Sequence, residues 1–344
     1  MSLPVPLKFM GAPGSPYTRK MLAILRFRRI PYQFLLGKEA EDKSLPKAKV
    51  SLLPTFYLPN EESGEIEAVV DSTPLIRRFE AAFEERSVVP NHPVTNFINY
   101  LIEDYGDEWL TKAMFHYRWR YQADIDKAAK ILPLWRNLSM TAEELEGMSQ
   151  YIADRQISRL GVVGSNDITA VVIEDSYRRF LGILDKLLQK QTFIFGARPS
   201  SADFAIYAQL TQLAKFDPTP AEICLKETPR VYGWTDLVDD LSGAEIVDTD
   251  FIQPEALKEN LGELLEEIGR VYVPALLANE QAYRDENEDI EAMIDGKTWT
   301  QPRFAYHLKC LQNLRDLYTA LGADDKTSLN EILMGSGCEL LFQY

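Results

Sequence analysis

Strand signals crowd into the chain before residue 90 and nearly vanish after Asn96. That division separates an α/β unit from a helical one. Leu7 to Met10 is a short apolar run with one Lys, ended by Gly11-Ala12-Pro13-Gly14. Tyr17 to Arg29 keeps Met21, Leu22 and Leu25 on one helical face, and Ile30-Pro31 stops it. Further strands are expected at Tyr32 to Leu36, at Thr55 to Leu58 after Pro54, and at Glu65 to Val70. A helix from Pro74 to Phe83 closes the unit.

From Val94 the spacing of Phe97, Ile98, Leu101, Ile102 and Tyr105 is helical. Further helices are expected over 142–160, 169–189, 201–215 and 255–277. A chain of 344 residues is too long for one small core. The expected units are 5–86 and 93–344, with 255–344 an extra helical extension. Its best helix aligns Phe304, Leu308, Leu311, Tyr318 and Leu321, and the acidic run Glu280 to Glu291 reads as a solvated helix face or linker. The terminal Leu340-Leu341-Phe342 is expected to pack on its own domain.

With 37 basic against 52 acidic residues, the net charge of −15 disfavours nucleic acid, which demands a basic footprint. An anionic membrane surface is disfavoured for the same reason, and no run of eighteen apolar residues exists. The start of the chain lacks the signature of a signal peptide. Cys224, Cys310 and Cys338 are too scattered for a disulfide framework or a zinc site. His92, His116 and His307 form no metal-ligand spacing. The expectation is a cytoplasmic protein without a metal.

Three junctions draw attention as sites. Ser15-Pro16 reads as a helix cap with Pro at the first helical position, and a thiol beside Ser15 would feel the helix amides. Alone, a plain cap is the simpler reading. Leu53-Pro54 precedes a strand, where an X-Pro turn exposes backbone groups able to pair with an extended peptide. Asp71-Ser72-Thr73-Pro74 opens a helix whose free amides suit a carboxylate, though an ordinary cap would look the same. A fourth feature, Ser200 and Asp203, has the spacing of a reciprocal capping box. Aromatics concentrate at Trp109 to Tyr121, a spacing more often core than ligand contact, and Arg118 and Arg120 are expected in solvent.

In order and spacing these segments resemble the glutathione S-transferase superfamily of the serine type, over about residues 5–240. Ser15-Pro16-Tyr17-Thr18 is similar to the Cys-Pro-Tyr-Cys turn of thioredoxins and glutaredoxins with both cysteines replaced, and Leu53-Pro54 sits where the superfamily keeps a cis proline. The capping box resembles that of the family's helical domain. The resemblance implies an α+β fold, in which a thioredoxin-like α/β domain precedes an all-helical domain. It implies glutathione as co-substrate, with Ser15 activating the thiol and Tyr17, Leu53, Pro54, Asp71 and Ser72 binding the tripeptide. The partner substrate would be a small hydrophobic electrophile, in a pocket touching Trp109 and His116, and the assembly a homodimer. Leu52 stands where many members carry a Lys. The alternative is the same fold kept as a non-catalytic scaffold or partner-binding module.

Overall fold

The computed structural model describes residues 3–36, 39–40, 42–246 and 251–343. In β1 (Leu7–Met10), Leu7 and Phe9 point inward and Lys8 outward. The strand pairs in parallel with β2 (Tyr32–Leu35) across α1 (Pro16–Phe27). On its other edge it pairs antiparallel with β3 (Thr55–Pro59), which pairs with β4 (Ile66–Val69). The sheet order is therefore β2-β1-β3-β4. Phe9 stacks on Phe56 at 4.6 Å and meets Phe34 at 5.0 Å. Phe79 of α2 (Ser72–Ala82) sets its edge on Phe56 at 5.3 Å, which fixes α2 on that face. The arrangement is the expected thioredoxin-like one.

The helical part opens with α3 (Pro93–Glu108), α4 (Leu110–Arg120), α5 (Gln122–Leu134) and α6 (Ala142–Ile157). It continues with α7 (Ala170–Leu188), α8 (Ser201–Leu210), α9 (Pro218–Glu227) and α10 (Pro229–Val238). Every residue of α8 is buried, and Phe204 meets Phe27 of α1 at 5.6 Å, tying the two parts together. After Leu210 the backbone widens into a π-turn over Thr211–Phe216, where an α-helix to 215 was expected.

The extension departs from the helical expectation. Its first helix, α11 (Pro254–Arg284), runs past residue 277 and takes in the start of the acidic run. That run then leaves the helix and enters a two-stranded hairpin, β5 (Asp289–Ile294) and β6 (Lys297–Pro302). Asp295 and Gly296 form the turn with φ of 52° and 68°, the left-handed pair that a two-residue hairpin turn requires. The Asp-Gly dipeptide between Ile294 and Lys297 was the available signal, and the acidic run obscured it. Trp299 of β6 is fully buried, 5.4 Å from the ring of Trp109.

Next come α12 (Ala305–Ala320) and α13 (Ala323–Leu333). The buried stripe of α12 is His307, Cys310, Leu311 and Leu314, not one led by Phe304, which is 37% exposed. Phe304 stands outside the helix as its extended N-cap, while His307 lies 3.3 Å from Glu108 of α3. At the end of the chain Leu341 is buried, and Phe342 stacks on Tyr318 at 4.0 Å and on the edge of Phe97 at 5.7 Å. The tail thus packs on its own domain, as expected. Gly269 lets α11 approach it: a Cβ there would lie 2.0 Å from the Ser336 carbonyl oxygen.

Candidate functional site

The turn after β1 delivers Ser15 to the N-cap of α1. Its φ of −93° and ψ of 118° are extended, Pro16 follows without needing an amide partner, and Ser15 Oγ accepts from Thr18 N at 3.3 Å. The same hydroxyl donates to the Leu53 carbonyl at 3.3 Å, across the cis Leu53–Pro54 bond. Two segments far apart in sequence therefore meet at one oxygen.

The Ser15 turn is held from the helical part. Arg118 Nη1 donates to the Gly14 carbonyl at 3.0 Å, and Gln212 Nε2 donates to the Pro13 carbonyl at 3.1 Å. Arg118 is buried, contrary to the solvated position expected of it. It is saturated by Asp217, with Nε to Oδ1 at 2.9 Å and Nη2 to Oδ2 at 2.9 Å, and by Gln212 at 2.7 Å. Such a two-pronged pair is what makes a buried guanidinium tolerable. Arg120 pairs with Asp167 at 2.9 Å at the surface.

Asp71 and Ser72 stand where α2 begins. Asp71 takes φ of 83°, a left-handed value costly for a residue with a Cβ, and its side chain caps nothing in its own helix. Its Oδ2 accepts instead from Tyr306 Oη at 2.8 Å and from Lys309 Nζ at 3.1 Å, both on α12. Ser72 is buried, and its hydroxyl accepts from Lys20 Nζ at 3.4 Å. Lys20 is fully buried and also bonds Glu103 at 2.8 Å and Asp107 at 2.6 Å. Desolvation pulls its ammonium down, but Asp107 and Glu103 outweigh that and raise it. One cation serving two carboxylates splits them. Against desolvation, Lys20 and Arg77 hold Glu103 low, whereas desolvation carries Asp107 upward and Glu103 adds to that rise.

The remaining candidates each have partners within the chain. Tyr17 donates its hydroxyl to the Asp107 carbonyl at 2.8 Å and lies 3.2 Å from Thr111 Oγ1. Desolvation, then Glu108 and Asp107, raise the phenol well above its usual range, so Tyr17 ties the two parts together as a neutral group. Trp109 is buried, its indole N–H donating to Ser176 at 2.8 Å. His116 is buried between Ser165 at 2.8 Å and Glu174 at 3.0 Å, and desolvation lowers it below the usual imidazole value. Neither presents an open face. Reading from sequence missed Lys20, Tyr306 and Lys309, because nothing local to them announces a carboxylate on another element. A cavity of about 470 Å³ is lined by Met10, Lys43, Lys47, Tyr57 and, flanking the Leu53-Pro54 turn in sequence, Ser51 and Thr55. Strand alternation puts Met10 and Tyr57 on the sheet face opposite Phe9 and Phe56.

Behind Asp71 lies a cluster of acids. Desolvation and then Glu108 push Asp104 up to about 8, while Tyr272 donates to it at 2.6 Å. Desolvation lifts Glu108 to about 7 against the pull of Lys112, and lowers Lys112 to about 8. A carboxyl whose folded value exceeds its unfolded one binds a proton on folding, so its stabilising effect is lost as pH rises through the folded value. Between about pH 4 and pH 8, Asp104 should cost stability with a slope of order 1 kcal/mol per pH unit. Asp104→Asn keeps an acceptor for Tyr272 and removes that slope. Urea titrations from pH 5 to 8 should show the wild type losing ground to the variant; parallel curves would mean that Asp104 is already ionised in the folded protein at pH 5.

The model for the glutathione S-transferase N-terminal domain matches residues 9–87, and that for the C-terminal domain matches 144–237. No curated protein matches the sequence. Among solved structures, a glutathione transferase family member from Pseudomonas fluorescens with two glutathione bound is similar at 14% identity. That match covers 67% of this chain and 87% of that one, with a TM-score of 0.43. A Tau class glutathione S-transferase from mango, Mangifera indica, is similar at 17% identity, covering 75% and 98%, with a TM-score of 0.42. A glutathione S-transferase from Rhodospirillum rubrum is similar at 12%, covering 73% and 98%, with a TM-score of 0.41. The two domain matches together span half of the chain, in the order in which the α/β and helical parts occur, and the chain belongs to the glutathione S-transferase superfamily.

Proposed function

We propose that this protein binds glutathione, or a closely related cysteinyl thiol, in the cleft at Ser15 and activates it for attack on a hydrophobic electrophile. The observation that carries the reading is the Ser15 hydroxyl, which caps α1 and sits 3.3 Å from the Leu53 carbonyl. A helix terminus and the cis-proline turn then face one point. Leu53 and Pro54 would pair with the cysteinyl backbone, and Ser72, with the amides of α2, would take the carboxylate of the N-terminal arm. On binding, the Ser15 hydroxyl would turn from Leu53 to the sulfur. The helix terminus plus one donor lowers a thiol by about one pKa unit for each 1.4 kcal/mol they supply. The thiolate then forms a carbon–sulfur bond as halide departs, or adds to an activated alkene whose carbanion takes a proton from water. The reading carries a homodimer, as is the family habit.

A specific observation favours the second reading, a scaffold of this fold without turnover: Asp71 is already satisfied by Tyr306 and Lys309. Calorimetric titration of glutathione decides between them. Binding that weakens about tenfold or more in Ser72→Ala, the worth of one hydrogen bond to a charged group, supports the first. Ser15→Ala should leave binding in place and raise the pKa of the bound thiol by about one unit, read from thiolate absorbance. No binding by the wild type puts the scaffold first.

A further inference from the structure

The Asp71 carboxylate at the start of α2 is engaged from within the chain. Lys309 Nζ is an ammonium placed 3.1 Å from Asp71 Oδ2, and Tyr306 Oη donates to the same oxygen at 2.8 Å. Lys309 also lies over the Tyr306 ring at 5.2 Å, so the two side chains form one unit. Helix α12 cannot simply retreat to vacate the position. His307 is buried 3.3 Å from Glu108, and Cys310, Leu311 and Leu314 are buried beneath the helix. What can move is the Lys309 side chain, which is 52% exposed.

Taking the cleft as a thiol site, as in the function proposed above, we propose that Lys309 and Tyr306 set its ligand class. They occupy the Asp71 carboxylate, the group that would otherwise attract a ligand's α-ammonium at this end, so the site selects a cysteinyl thiol whose N-terminal arm ends in a carboxylate without an α-ammonium. The physical reason is an exchange. A ligand ammonium can reach Asp71 only by displacing Lys309, trading one charge-assisted pair for another with no net gain. A ligand lacking that ammonium leaves the Asp71–Lys309 pair intact, and its carboxylate meets the α2 amides with Lys309 nearby. Without Lys309, Asp71 would keep only the Tyr306 hydroxyl and lack a cation, and an incoming ammonium would supply one.

The test compares glutathione with glutaryl-cysteinyl-glycine, which is glutathione without its α-ammonium, by calorimetry. Wild-type protein should bind the glutaryl thiol at least as tightly as glutathione. The Lys309→Ala variant, alone and with Tyr306→Phe, should reverse the order and prefer glutathione by about tenfold, the effect of one unpaired charge regained. Lys309 sits at the surface, so its loss leaves the fold intact, and Tyr306→Phe retains the ring. A wild type that prefers glutathione tenfold or more, with the preference unchanged in Lys309→Ala, overturns the proposal while leaving thiol binding standing. Failure of both thiols to bind wild type and variants overturns the thiol site itself, and this inference with it.

Discussion

Asp203→Ala is expected to remove about 3–5 kcal/mol of stability, enough to leave little folded protein at physiological temperature. The carboxylate is fully buried and accepts from Ile194 N at 2.7 Å, Ser200 N at 2.9 Å and Ser200 Oγ at 2.7 Å. In return, Ser200 Oγ accepts from Asp203 N at 3.4 Å. Desolvation pushes its pKa up to about 6, so it is ionised at neutral pH and bound by every donor in reach. Alanine strands two buried amides at once, each costing about 1–3 kcal/mol, and opens a void against α8. Because α8 carries Phe204 onto α1, loss of its cap loosens the joint between the two parts. Urea unfolding followed by circular dichroism gives the value. Asp203→Asn, which retains acceptors but not the charge, should recover part of the loss. A variant within about 1 kcal/mol of wild type would mean that the box is locally replaceable.

The second large effect belongs to Lys20→Met. Methionine fills the volume but leaves Asp107 buried without a cation and Glu103 with Arg77 alone, and breaking a buried pair from one side costs about 3–5 kcal/mol. The deficit should have a pH signature. With Lys20 gone, Asp107 loses the cation that opposes its desolvation, so its folded pKa rises further above the unfolded one, protonation relieves the strain in acid and the penalty grows as pH rises. The deficit should therefore be larger at pH 8 than at pH 5. Neutralising the partners as well, with Glu103→Gln and Asp107→Asn, should return much of the stability, because a buried ionic cluster contributes less than its disruption costs. A deficit independent of pH, or no recovery in the triple variant, would assign the loss to packing alone. The same substitution removes the donor to Ser72, so thiol binding should weaken in any Lys20→Met protein that still folds.

Much of this molecule is written in short stretches of sequence, for a physical reason. Strand, turn and helix preferences, the Ser15 cap, the Leu53-Pro54 turn and the Ser200–Asp203 box are all decided by atoms within a few residues of one another. The Asp295-Gly296 hairpin turn is equally local, but the acidic run before it masks the strand pattern that would announce it.

Partnership is a different matter. The sequence marked Asp71 as a binding residue but could not say that Lys309 meets its carboxylate, nor that Tyr306 joins it from 235 residues away. Arg118 carried no local mark of burial until Asp217, Gln212 and the Gly14 carbonyl surrounded it. Tyr17 and Lys20 lie on a helix that the sequence marked well, yet their hydrogen bonds cross to α3. By itself, then, the sequence determined the elements, their caps and the junctions where a thiol site could be built. The tertiary structure alone decided which charge neutralises which, because a buried ion takes whatever partner the packing of distant elements brings within about 3 Å, and no local pattern encodes that meeting.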